Sequence, residues 1–326
     1  MNAPAASSFS FEPLFLALAI GAVYGYVRLA KTVERPSRGR TALFVLAALL
    51  IATSLNSPLE TIAVHYLLVV HLLQNVMIAD WAPPLLVLGL TPAMRAALAA
   101  RGGGMLAFLT RPRVALPLWL AVWYGVHLPA FYDYALRHPL LLNVEHAALI
   151  FAGLVFWWPV FSNEPNRLST AVRLVYLGAA YAGSAFLSLA LIFSARAFYG
   201  FYEAAPRLWG LSPQKDQNLG GILMNAEQMA VFFVAMSYFL LRLLSEEEES
   251  QQALEGRSDA PPSSRRSSSR SSSFPLLRPT ATPPATFSSP SRSSSHSRRR
   301  SPSPPRRSSR RPSRRRTSGA TRSASR

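Results

Sequence analysis

The chain has 326 residues and no cysteine, and it carries 34 Lys+Arg against 16 Asp+Glu, a formal net charge of +18. Without cysteine there is no disulfide framework, no thiolate metal site, no Cys nucleophile and no CxxC metal-chaperone head. Hydrophobic residues make up 50% of the chain, yet its mean hydropathy is only +0.17, so apolar and polar residues must be segregated. Long apolar runs fill the chain as far as Leu244, and almost none follow Ser245. The charge is equally local. Arg recurs after Arg257, where Asp259 is the sole acid, so the sequence pI of about 11.2 describes the tail. The apolar part has no basic stripe, and no specific nucleic-acid partner is expected.

A membrane-spanning helix needs roughly 20 mostly apolar residues. Residues 1–10 read as a short extracytoplasmic N-terminus. They lack the basic n-region of a secretory signal, so the first helix is expected to be retained as a span. In chain order the spans are Phe11–Leu29, Thr41–Leu55, Ile62–Ala79, Val114–Phe131, Leu140–Phe161, Ala171–Phe193 and Leu219–Leu244. Pro83 and Pro84 lack backbone N–H groups, so Pro83–Leu90 is expected to be a kinked or re-entrant extension of the third span. Lys31, Arg35, Arg38 and Arg40 precede span two, Arg95, Arg101, Arg111 and Arg113 precede span four, and Arg167 and Arg173 flank the start of span six. Arg242 and the tail lie at and beyond the end of span seven. These alternate connections belong on one side, the cytoplasmic one by the positive-inside rule. The predicted fold is therefore all-α: a polytopic bundle of about seven transmembrane helices over residues 11–245, N-terminus out and C-terminus in, with a disordered cytoplasmic tail at 246–326.

Ionisable groups inside a span are costly and mark functional sites by default. Every histidine except His296 lies in the apolar part: His65, His71, His127, His138 and His146. Under the orientation above, His65, His71, His127 and His146 all fall in the outer half, while His138, in an outer loop, is expected to be solvated. On span three His71, Gln74 and Asn75 sit at i, i+3 and i+4 and share a face. Asp80 and Trp81 follow near the inner interface, where Trp commonly anchors a helix. Glu145 adjoins His146, and span seven brings Asp216, Gln217, Met224, Asn225, Glu227 and Gln228. Imidazole, carboxylate and thioether at this density suit a transition metal, copper in particular. The candidate ligands are His65, His71, His127, His146, Asp216 and Met224. A single membrane histidine is more often a helix–helix hydrogen-bonding residue, and a methionine more often packing.

The segment HLLQNVMIADWAPPLLVLGLTP, followed in order by VHLPAFYDYAL, VEHAALIFAGLVFWWPV and DQNLGGILM, resembles the CtaG-type family of cytochrome c oxidase assembly factors, the group linked to caa3-type oxidases. The resemblance covers roughly Tyr66 to Leu244. It implies a bundle of about seven helices, a bacterial plasma-membrane location, an oxidase subunit as partner, and a non-enzymatic role in supplying or positioning copper. His71, His127 and His146 match family histidines, and Asp216 and Gln217 match the family's Asp-Gln. Where many members read His-Met-x-Gln-His, this chain reads His71-Leu72-Leu73-Gln74-Asn75. Asn75 is a poor copper ligand, because its amide oxygen is hard and neutral.

Other readings of the residues stand beside this one. Histidines on facing spans would also suit a b-type haem in an electron carrier, and a scaffold would need no metal. An intramembrane hydrolase lacks support, since neither HExxH nor GxSxG occurs. The tail reads as a polybasic segment drawn to anionic lipid, as a weak RNA-binding Arg/Ser segment, or as an out-of-frame extension rich in Ser, Arg and Pro.

Overall fold

Twelve helices follow one another in the computed structural model, which describes residues 3–258. The Ser/Arg/Pro-rich stretch from residue 259, read above as a disordered tail, lies outside the described residues. Among the described residues there is no strand. Helices α1 (Pro13–Thr32) and α2 (Arg38–Leu55) pack side by side. Proline stands in the first turn of α1, and Ser37 caps α2 by accepting the Arg40 N–H. Six segments are long and apolar enough to cross a membrane. They are α1, α2, Leu68–Gly89, α9 (Pro139–Phe161), α10 (Thr170–Phe193) and α12 (Pro213–Ser258). Helices α6 (Pro92–Leu109) and α7 (Pro112–Val126) meet at a 73° bend and are long and apolar enough only together, which makes seven when the bent pair is counted as one span.

The third span differs from its sequence-based expectation. Instead of one helix from Ile62, the chain forms α3 (Pro58–His65), breaks at Tyr66–Leu67, and restarts as α4 (Leu68–Val76). The restart is fixed from far along the chain, where Asp216 accepts the N–H groups of Leu68 (2.8 Å) and Val69 (2.9 Å). These are two of the orphan donors that every helix N-terminus exposes. Nor is Pro83–Leu90 re-entrant. A π turn (Met77–Trp81) leads directly into α5 (Ala82–Gly89), so the span runs on through both prolines. In the π turn the Ala82 N–H reaches the Met77 carbonyl. Neither Pro83 nor Pro84 can donate to the turn before it, so the ladder is interrupted where the π turn meets α5.

Two further corrections concern polar stretches. The basic connection before span four is not a loop; most of it is α6. That span itself is a helix of 15 residues ending at Val126, short of Phe131. Chain past His127 enters the short α8 (Pro129–Ala135), and α11 (Gly200–Ala204) is a single turn in the connection before α12. The boundary expected at residue 245 is also passed: α12 continues through the acidic run Glu246–Glu249 to Ser258. At 46 residues it is about 69 Å long, more than twice the roughly 30 Å hydrocarbon core, so over half of its length cannot lie within that core.

Helices in lipid lack a hydrophobic driving force between them and pack through small residues. A Cβ on Gly153 of α9 would lie 2.3 Å from the Ala79 carbonyl oxygen in the π turn. Gly220 and Gly221 likewise bring α12 against Leu72 of α4 and Leu191–Ile192 of α10.

Candidate functional site

The break between α3 and α4 decides where the histidines go. His71 sits in the first turn of α4, fully buried, with Gln74 and Asn75 buried on the same face as expected. Gln74 donates to the Glu60 carboxylate on α3 (2.7 Å) and to the Ser54 carbonyl at the end of α2 (2.5 Å). Asn75 donates to Glu145 of α9 (3.4 Å). The polar face of α4 is thus turned inward and bound to three other helices, as an intramembrane polar stripe must be.

His71 meets His146 edge-on, ring centroids 5.7 Å apart, and its Nε2 lies 3.7 Å from the Glu145 carboxylate. Its Nδ1 is 2.9 Å from the Tyr202 hydroxyl. That hydroxyl donates its own proton to the Ala63 carbonyl (2.6 Å), so it accepts from His71, and Nδ1 carries the hydrogen. In the neutral ring Nε2 is then the lone-pair nitrogen. His127, at the C-terminus of α7, follows the same logic. Its Nδ1 is 2.6 Å from the Trp123 carbonyl, which can only accept, and its buried Nε2 has no partner. His146 is fully buried with neither ring nitrogen partnered, packed edge-on against Phe15. Tyr132 stands between the groups, its ring 4.9 Å from His71 and 5.8 Å from His127.

The structure therefore sets His71 against His146 and Glu145 on one side and, through the Tyr132 ring, next to His127 on the other. It commits the other expected ligands elsewhere. His65 is half-buried on α3, its Nδ1 3.3 Å from the Thr61 carbonyl. Both oxygens of Asp216 are engaged by the α4 amides. Gln217 clamps the preceding loop through Phe198 N–H and the Arg196 carbonyl. Met224 is buried in the apolar core. His138 is exposed and stacked on Tyr134. Among the described residues no group of three or more His, Asp or Glu side chains stands at metal-binding geometry.

Three side chains that hold this cluster carried no sequence signal of their own. Tyr132, Tyr199 and Tyr202 are all buried, and Tyr199 donates to the His127 carbonyl (3.0 Å). One pointer lay in the Tyr-Asp of the quoted YDY segment. Asp133 accepts the N–H groups of Gly200 (2.9 Å) and Phe201 (3.1 Å), which fixes α11 and so places Tyr202 over His71. Asp80, expected as an interfacial anchor, is instead fully buried and accepts from Gln228 of α12 (2.9 Å).

Fold and site define a multi-pass membrane bundle with a closed cluster of imidazoles and tyrosines toward one end. The family model described as cytochrome c oxidase caa3 assembly factor matches residues 22–246, and the chain belongs to that family. No curated protein and no solved structure matches it. Assembly of a cytochrome c oxidase, with the oxidase as partner, follows from that membership.

Proposed function

We propose that this assembly factor works in a bacterial plasma membrane and handles copper for its oxidase at the pair His71–His146, with Nε2 of His127 as a neighbouring stop. The observation that carries the reading is the set of buried, unpartnered imidazole nitrogens on His71, His127 and His146. A polar group left unpaired in a low-dielectric interior costs about 1–3 kcal/mol, and a soft cation bound there relieves that cost. Two imidazoles gripping one ion from opposite sides place their ring centroids roughly 6 Å apart, at a metal–nitrogen bond of about 2.0 Å. His71 and His146 stand at 5.7 Å. The bonds from Nδ1 of His71 to Tyr202 and of His127 to Trp123 are the outer-shell contacts that orient ligating imidazoles elsewhere. Copper(I) accepts such a sparse nitrogen set. Asn75, in place of the family histidine, then serves by holding Glu145 beside the pair.

The test is metal content. Detergent-purified protein loaded anaerobically with copper(I) should retain it, and His71→Ala or His146→Ala should lose most of it at unchanged protein abundance. Equal copper in wild type and both variants rejects the site. An intense Soret band from the purified protein would favour a haem carrier instead.

A further inference from the structure

At the opposite end of the bundle the arginines of four separate segments converge. Arg40 of α2, Arg95 of α6, Arg173 of α10 and Arg242 of α12 line one partly open cavity of about 860 Å³. Among the described residues only Arg242 of these four forms an ion pair, with Glu246 at 2.9 Å. Arg40 and Arg95 donate to the carbonyls that end α5, among them Leu88, Leu90 and Val87. Arg173 is buried, bonds Asn163, and keeps an Nε without a partner. This end thus holds a surplus of positive charge, part of it desolvated, with one carboxylate to answer it.

From that rim the cavity runs inward along α2 and α12. Its lining reaches from Arg40 to Leu50 on α2 and from Arg242 to Glu227 on α12. At 1.5 Å per residue this is about 15 Å and 22 Å, the depth of one leaflet or slightly more in a core of roughly 30 Å. The walls between are apolar, including Leu46, Leu85, Val231 and Phe239. At the deep end stand Asp80 and Glu227. An amphiphile with an anionic head would place that head at the rim, where the guanidiniums stand, and its chain inward along the apolar walls.

We propose that this cavity is a binding site for an anionic phospholipid of the inner leaflet, its phosphate held by Arg40, Arg95, Arg173 and Arg242 and an acyl chain lying along α2 and α12. Basic pockets between transmembrane helices on the cytoplasmic side bind such headgroups, and guanidinium forks match phosphate oxygens two at a time. The site is separate from the histidine cluster and does not depend on copper. It also differs from lipid attraction by the basic tail, because it requires a chain-sized apolar slot.

The test uses the full chain in detergent at high salt, which weakens attraction between the exposed tail and lipid. The probes are phosphatidylglycerol and phosphatidylcholine of equal chain length, followed by native mass spectrometry. Wild type should retain one phosphatidylglycerol in preference to phosphatidylcholine. The pair Arg173→Gln and Arg242→Gln leaves the α5 carbonyl contacts of Arg40 and Arg95 intact. It should cut that preference by about ten-fold or more, the equivalent of roughly 1.4 kcal/mol. Ala230→Trp, an exposed position on the lining, should expel both lipids with no change in charge. Equal retention of the two lipids by wild type overturns the proposal, as does full retention of phosphatidylglycerol by the arginine pair. If the co-purified oxidase subunit fills the cavity and displaces lipid, an acidic partner helix is the occupant and the lipid site is rejected.

Discussion

The two ends of this bundle treat intramembrane polarity in opposite ways. Around His71 the polar groups are closed on one another: imidazoles, tyrosine hydroxyls and a carboxylate are buried to 2% exposure or less. Around Arg173 they are left facing an opening, charged and short of partners. A closed cluster suits a small, desolvated guest that replaces water entirely. A rimmed slot suits a guest that keeps one end in the interface. The contrast shows that buried polarity in a membrane protein does not by itself identify a ligand; the way it opens does.

The hardest blow to both ends at once should fall on the seam between them. Gly153→Val places carbon against the Ala79 backbone, which cannot yield like a flexible side chain. It should lower stability by about 3 kcal/mol, read as loss of protein from the membrane fraction and a lowered melting transition in detergent. Next is Asp216→Ala, which strips the acceptor from two α4 amides. About 2–3 kcal/mol should be lost, and His71 should lose its register, so copper retention and melting temperature fall together. Asp216→Asn should recover about half.

Smaller effects separate the ends. Tyr202→Phe removes the hydroxyl that accepts from His71 Nδ1 while keeping the ring. It should cost about 1 kcal/mol in stability but weaken copper binding by about 10- to 100-fold, since an outer-shell contact is lost. Lipid preference at the arginine end should not change; if it does, the two ends are coupled and the separation drawn here is wrong. Smallest of all, His138→Ala removes an exposed ring and should change neither melting temperature, within about 0.5 kcal/mol, nor copper. A marked loss of copper would enlarge the site to include the loop before α9.

Much of this was legible in the sequence for a physical reason. Apolar runs and the side-sorting of Arg determine spans, and the convergence of Arg40, Arg95, Arg173 and Arg242 on one cavity agrees with that sorting. The inward face of His71, Gln74 and Asn75 follows from helical spacing alone. The break at Tyr66–Leu67 was not legible, because neither residue is a breaker and the cap that causes it lies at Asp216. Helix α6 was hidden by its arginines, since hydropathy sees only what is apolar. Tyr199 and Tyr202 were hidden for the converse reason. Aromatics are common throughout such a chain, and only α11, pinned by Asp133, distinguishes these.

The π turn at Met77–Trp81 has a consequence for how this sequence can change over time. A π turn holds one residue more than the α-helical turn it interrupts, so it acts as a register dial between α4 and α5. Removing any one of its residues would restore the ordinary helix, turning everything downstream by about 100° and drawing it in by about 1.5 Å. Pro83 would leave the surface of Gly153, which it approaches closely, and Asp80 would turn away from Gln228. Substitutions within Met77–Trp81 alter one side chain at a time, whereas a single-codon deletion there rewires the relation between the two ends of the molecule.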